Sequence, residues 1–415
     1  MVTNMKKGIL LALFFCMVGF ATPVYAQSLQ QQINQLPSGS ILELAPGQYS
    51  EDLILDKAIH INGNHKVKLF GKVTIISDDV EVNGMQFLGE QGIVAKKVKN
   101  IKITESSFQT KRFPIYFDSV INSEIMEVEI SGEEGHYSKK SHGISLYKSK
   151  DIYVKNNRIK QMQDGIYLED SVRVTIEGNT ITHGRYGTHI MYGENIQLLH
   201  NTYAHHITGI MAMMVDDLTI ENNSVKHQNA LNSSGLTLYQ TTKVNIVHNA
   251  IRENSIAVQF QQAESVNMSD NIIASNLLVL KNIQPKDILV TNNKFYGNVL
   301  VASSGSKGIT LLANSYDDYD GEDFDGDGYG DSVYTVTSTF GQWVLKNEYY
   351  QYFIGNTATG LLSRMDTNIS EANALVDVKP VIQEGQVWQL SFSGKHFIMG
   401  IALFILLVFS WRRLK

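Results

Sequence analysis

The sequence predicts an all-β chain: a right-handed parallel β-helix with coils of 22 residues, followed by a C-terminal transmembrane helix. Three observations predict it. Asn157, Asn179, Asn201 and Asn223 are each 22 residues apart; Asn249 follows after 26, Asn271 and Asn293 after 22 each, and Asn314 after 21. A second column, Gly143, Gly165, Gly187, Gly209 and Gly235, keeps the same step up to a four-residue insertion around Gln228 to Asn232. Between the columns run short alternating strands, among them Ile152-Tyr153-Val154, Val174-Thr175-Ile176, Ile196-Gln197-Leu198 and Leu218-Thr219-Ile220. A coil of this length cannot bury its apolar face alone, so successive coils stack on a shared core. Asparagines in register form an amide ladder along the axis, and glycine beside them is expected to ease a tight corner. A leucine-rich repeat has a similar period, but its leucine signature is missing.

The elements follow in order. Residues 1–26 read as a signal peptide: Lys6 and Lys7 precede an apolar run from Ile9 to Phe20, and Val24-Tyr25-Ala26 offers a cleavage site. The chain has one cysteine, Cys16, inside this segment. Phe14 and Phe15 before it rule out a lipoprotein signal. The mature chain therefore has no disulfide, and any metal must be held by His, Met or carboxylate. Residues 27–315 form the β-helix, with a capping helix expected over Leu29 to Leu36. Residues 316–334 are an Asp/Gly-rich loop, and 335–395 carry aromatics without a clear period. Residues 397–411 are apolar and precede Arg412, Arg413 and Lys415. Fifteen residues fall short of the ~20 of a usual span, but Trp411 and the basic cluster fit a stop-transfer anchor. The bulk then faces the periplasm or cell exterior. The net charge is −6 without basic blocks, which argues against a nucleic-acid partner.

Alternation after each column glycine assigns the faces. Ile166, Leu168, Ile190, Ile210, Ala212, Leu236 and Leu238 fall inward. Tyr167, Glu169, His189, Met191, Met211, Met213, Thr237 and Tyr239 fall outward. Adding 22 to His189 gives Met211, and adding 22 to Met191 gives Met213. Strands lie ~4.8 Å apart and same-face neighbours roughly 6.6 Å apart, so four donors form a two-by-two patch. Imidazole with thioether and no thiolate favours Cu(I) over zinc or magnesium. The competing reading is a methionine-covered docking surface for another protein.

His183, His205 and His227 form a further 22-spaced column at a turn. They are candidate metal ligands of lower rank, with a stacked turn ladder as the commoner alternative. His200, His206 and His248 read as lone surface histidines. In the Asp/Gly-rich loop, Asp323, Asp325 and Asp327 match the alternating ligands of a calcium site. Gly328 sits at the sharp turn and Tyr329 offers a carbonyl. Tyr334 stands where an EF-hand has its closing Glu, so Asp331 or the upstream aspartates must complete the set.

Arg185-Tyr186-Gly187-Thr188-His189-Ile190-Met191-Tyr192, Gly209-Ile210-Met211-Ala212-Met213 and the Asp/Gly-rich loop together resemble the NosD family, over Leu29 to about Met365. Tyr316 and Val333 depart from its pattern, where Trp and Pro are usual. The resemblance implies a non-enzymatic, copper-binding extracytoplasmic β-helix. Its partners would be an ABC transporter (membrane subunit and ATPase), a copper chaperone and nitrous oxide reductase, whose copper-sulfide centre it helps mature. The rivals are a polysaccharide lyase or epimerase, for which Asp164, Glu169 and Arg185 are candidates without forming a compact acidic cluster, and a metal-free scaffold that docks the transporter.

Overall fold

The computed structural model describes residues 28–302, 307–336, 343, 347–353, 356–358 and 375–382. The segments read as signal peptide (1–26) and membrane anchor (397–411) lie outside them. Among the described residues no helix is long and apolar enough to cross a membrane.

From Ser40 to Tyr316 each strand pairs in parallel with the strand one coil on. One inward column runs Ile152, Val174, Ile196, Leu218, Val244, Val266 and Ile288 in unbroken register. No member is more than 3% exposed. Burial of each such side chain contributes about 1.5–3 kcal/mol, so the stack is held chiefly by its own axial core. All seven side chains assigned inward beside the glycine column, from Ile166 to Leu238, are fully buried.

The asparagine ladder forms as expected. Asn179 Oδ1 accepts from Asn157 N (2.9 Å) and Nδ2 (2.8 Å), while Asn157 Nδ2 also donates to Ile125 O (3.0 Å). The pattern repeats to Asn314, with every member at most 1% exposed. It crosses the insertion unbroken, because the extra residues bulge at a corner and Asn223 N still reaches Asn249 Oδ1 at 2.9 Å. A second ladder, of mixed chemistry, runs beside it. Gly184 N donates to His206 Nδ1, His206 N to Gln228 Oε1 and Gln228 N to Asn254 Oδ1; Asn276 and Asn298 continue it. His206 is therefore not a surface residue but 4% exposed. His200 and His248 are exposed, as expected.

The column glycines have a different role from the one expected. None has the left-handed backbone of a tight corner. Instead, a Cβ on Gly187 would meet Gly209 O and Tyr203 Cδ1, each at 2.5 Å, and Gly165 and Gly209 are as tightly packed. Their absent side chains let neighbouring coils approach. The left-handed corners are taken by other residues, among them His183, His205, His227, Glu253 and Ser275, with φ between 56° and 62°.

Both ends are closed. At the start the helix Leu29–Gln35 buries Leu29 and Ile33 on the first coil. Glu51 accepts from the N–H groups of Leu29 (2.7 Å) and Gln30 (3.2 Å), and Lys57 Nζ donates to the carbonyls of Ile33, Asn34 and Leu36. These contacts satisfy groups that a helix terminus leaves open. At the far end the coils do not stop at Asn314. Residues 375–382 return from the aromatic segment: Asp377 pairs with Leu311 in parallel and with Tyr334 antiparallel, and Val381 bridges Ser315. Asp377 ends the ladder, its Oδ2 accepting from Asn314 N (3.0 Å), Asn314 Nδ2 (2.8 Å) and Tyr316 Oη (3.1 Å).

Candidate functional site

The strands Asp164–Glu169, Thr180–Met191, Thr202–Met213 and Ser234–Tyr239 lie side by side on one face. Pairing sets His189 opposite Met211 and Met191 opposite Met213, as the 22-residue step requires. Tyr167 and Glu169 flank the patch on one side, Thr237 and Tyr239 on the other.

The face is less open than alternation suggests. Met191, Met211 and Met213 are half-buried, whereas Tyr167 (8% exposed), His189 (6%) and Thr237 (6%) are buried although they point away from the core. Aromatic rings cover the histidine: Tyr167 meets it edge-on at 5.1 Å and Tyr186 at 4.9 Å. Thr237 is covered through its hydroxyl contact with Ser234 at 2.7 Å.

Beneath these rings lies a group that strand alternation leaves undetected. Asp164 is fully buried. Arg185 grips it bidentately, Nε to Oδ1 at 2.9 Å and Nη2 to Oδ2 at 2.7 Å. His189 Nδ1 lies 3.0 Å and His142 Nδ1 3.3 Å from the same Oδ2. Arg185 stacks on Tyr186 with its guanidinium carbon 4.4 Å from the ring centre, and His142 stacks on Tyr167 at 4.5 Å. Burial by itself would raise the Asp164 carboxyl, but the nearby His142 imidazole and the hydrogen bonds from His189 and Arg185 outweigh it and hold the group well below the usual carboxylate range. A carboxylate only accepts, so Nδ1 of a neutral His189 carries the hydrogen and the lone pair falls to Nε2. That Nε2 is buried and has no hydrogen-bond partner. An orphaned basic nitrogen on a face that also carries three methionines is what a soft cation would satisfy. Tyr167 donates to Glu169 Oε2 at 2.6 Å and lies 3.4 Å from Met191 Sδ.

The other candidates lie elsewhere. His183, His205 and His227 are stacked face to face at 4.7 and 5.2 Å, and His227 Nδ1 pairs with Glu253 at 3.0 Å. Burial, then the neighbouring histidines, lower the His205 pKa. In the Asp/Gly-rich loop, one carboxylate oxygen each from Asp323, Asp325 and Asp327 fall within 4.8 Å of one another. Asp323 accepts from the N–H groups of Gly326, Asp327 and Gly328, and Gly328 has the left-handed φ of 87° that its turn needs. Asp331 stands apart from that trio; it accepts from Phe324 N at 2.6 Å.

His142 is also among the residues lining a cleft of about 670 Å³ with Lys111, Arg112, Lys139, Lys140 and Tyr147. Glu90 and Glu133 line the same cleft.

Comparison with known proteins accords with this architecture. A family model described as the periplasmic copper-binding protein NosD matches residues 126–329, and a right-handed β-helix model matches residues 54–171. The probable ABC transporter binding protein NosD of Pseudomonas aeruginosa is 25% identical over 137 residues, which is 29% of this chain and 32% of that protein. The chain thus spans about a third of the length of the curated relative it matches. Among solved structures, the periplasmic alginate epimerase AlgG superposes with a TM-score of 0.55 at 12% identity, over 70% of this chain and 83% of that one. A mannuronic acid-specific family 6 polysaccharide lyase from human gut microbiota gives a TM-score of 0.50 at 11% identity, over 71% and 86%. At such identities the likeness is one of fold.

Proposed function

Because this chain belongs to the NosD family of periplasmic copper-binding proteins, we propose that it accepts and presents Cu(I) at His189, Met191, Met211 and Met213. In this reading it is an accessory protein and not an enzyme. It works beside an ABC transporter and a copper chaperone to mature the copper-sulfide centre of nitrous oxide reductase, held at the membrane by residues 397–411. The observation that carries the proposal is the His189 imidazole, with Nδ1 on a buried carboxylate and a buried, unpartnered Nε2, on the residue that strand pairing sets opposite Met211. Metal-bound histidines usually donate their second nitrogen in this way, and neutral nitrogen and thioether donors favour Cu(I). Half-burial of the methionines suits a cargo that must be handed on. The stacked His183, His205 and His227 are proposed as a secondary site at most, since ring stacking already accounts for them. Asp323, Asp325 and Asp327, with Asp331 completing the set, are proposed to hold a structural calcium ion.

Titration of the purified chain with Cu(I) against a chromophoric chelator tests the main reading. Tight uptake of one ion at the patch is expected; no competition with the chelator would refute it.

Processing of an acidic polysaccharide has one observation in its favour, the cleft beside His142, where Lys111, Arg112, Lys139 and Lys140 outnumber Glu90 and Glu133, although Lys111 is paired with Glu90. Against it, Asp164 is committed to three side chains and is a poor proton acceptor, and Glu169 already takes the Tyr167 hydroxyl. Cleavage or epimerisation of a uronate polymer by the pure protein would restore that reading.

A further inference from the structure

We propose that Asp164, clamped by Arg185, is the positioning residue that orients His189 for Cu(I); the assignment rests on the copper reading above. The core does not need this carboxylate. The apolar columns and the asparagine ladder hold the coils together, whereas Asp164 lies in a row that continues through Tyr186, Thr208 and Ser234 with no repeating chemistry. A buried carboxylate is costly unless it is paired and hydrogen-bonded. Here the partners are an arginine and two imidazoles, and one of those imidazoles belongs to the donor patch.

The geometry gives Asp164 two effects. Its Oδ2 takes the Nδ1 hydrogen of His189 at 3.0 Å, which leaves the lone pair on Nε2 and makes the ring a stronger donor. Arg185 occupies both carboxylate oxygens, at 2.9 and 2.7 Å. The carboxylate is thereby withdrawn from the donor set, so that neutral nitrogen and sulfur atoms meet the ion. A hard carboxylate in that set would shift preference toward other divalent metals.

The test measures Cu(I) affinity of the full chain by chelator competition, together with the melting temperature. Asp164→Asn should weaken Cu(I) binding roughly 10- to 100-fold, the usual consequence of losing such a partner. In a His189→Gln background the same change should have no further effect, because Asp164 acts through His189. If Asp164→Asn does not fold, Asp164→Asn with Arg185→Gln removes both charges together and carries the same expectations. Undiminished affinity in these variants, or an equal loss with and without His189, overturns the assignment while the copper reading stands. A wild-type chain that takes up no Cu(I) overturns the copper reading itself.

Discussion

His189 meets Asp164 through Nδ1 at 3.0 Å while strand pairing sets the residue opposite Met211. The same side chain is thus tied to a carboxylate at one nitrogen and left with a bare lone pair at the other. Replacing Met211 and Met213 together by Leu keeps volume and apolarity and should cost under ~1.5 kcal/mol per site. Folding should survive, Cu(I) uptake should fall away in a chelator competition, and cells should yield nitrous oxide reductase without its copper-sulfide centre. Unchanged affinity in the double variant would mean that the methionines serve as a docking surface instead.

Asp377 collects five donors: Ala313 N, Asn314 N, Asn314 Nδ2, Tyr316 Oη and Lys379 N. Hydrogen bonds to a charged group contribute about 1.5–3 kcal/mol each, and a buried donor left unpaired costs about 1–3. Asp377→Ala should therefore destabilise the last coil by at least ~3 kcal/mol, read as a lower denaturant midpoint. Hydrogen exchange should show that the loss begins around Asn314, with the coils near Asn157 unaffected. Uniform loosening of the whole stack would contradict this.

His206 should make stability depend on pH. Burial pushes its pKa down to about 4 from the ordinary 6.5. Gly184 N–H donates to its Nδ1, so a proton there would oppose another donor. Between pH 6.5 and 4 the unfolded chain binds a proton that the folded chain refuses, so stability rises with pH across that window and falls on acidification. The shift corresponds to a loss on the order of 3 kcal/mol by pH 4. Gln228 fills the equivalent place one coil on, so His206→Gln should keep the ladder and flatten that part of a pH-stability curve. An equally steep curve in the variant would assign the dependence to other groups.

Chelation tests the loop Asp323 to Asp331. An ion that binds only the folded state stabilises it by mass action. Removing calcium should lower the melting temperature and open the Asp/Gly-rich loop to protease, while Asp323→Ala should show both effects without chelator. No change in either measurement would reduce the loop to an acidic turn.

Repetition made most of the fold legible. A ladder of one residue type must recur at the coil length, so eight asparagines set the period and alternation identified the inward face from Ile166 to Leu238. The second ladder keeps the same spacing, yet His206, Gln228, Asn254, Asn276 and Asn298 differ in chemistry, and a column of mixed residues does not stand out. The two-by-two patch followed from the period, because His189 and Met211 differ by one coil. Its carboxylate hub did not: Asp164, Arg185 and His142 belong to no repeating column, and only the packing of the coils brings them together. Nor does any local pattern announce that Asp377 closes a ladder 63 residues behind it.

Asp377 also sets the order in which the molecule can be finished. A chain made from its N-terminus can lay coil on coil as it emerges, since each new strand finds its template already in place. The last coil is different. Until residues 375–382 arrive, the strand Ile309–Leu312 offers a bare row of amides and carbonyls, the kind of edge that recruits strands from other molecules. The returning segment is therefore a terminator as much as a cap. A chain cut short before residue 375 would retain nearly every coil and yet lose the piece that makes its length finite, so the expected defect is end-to-end growth into oligomers, visible by light scattering.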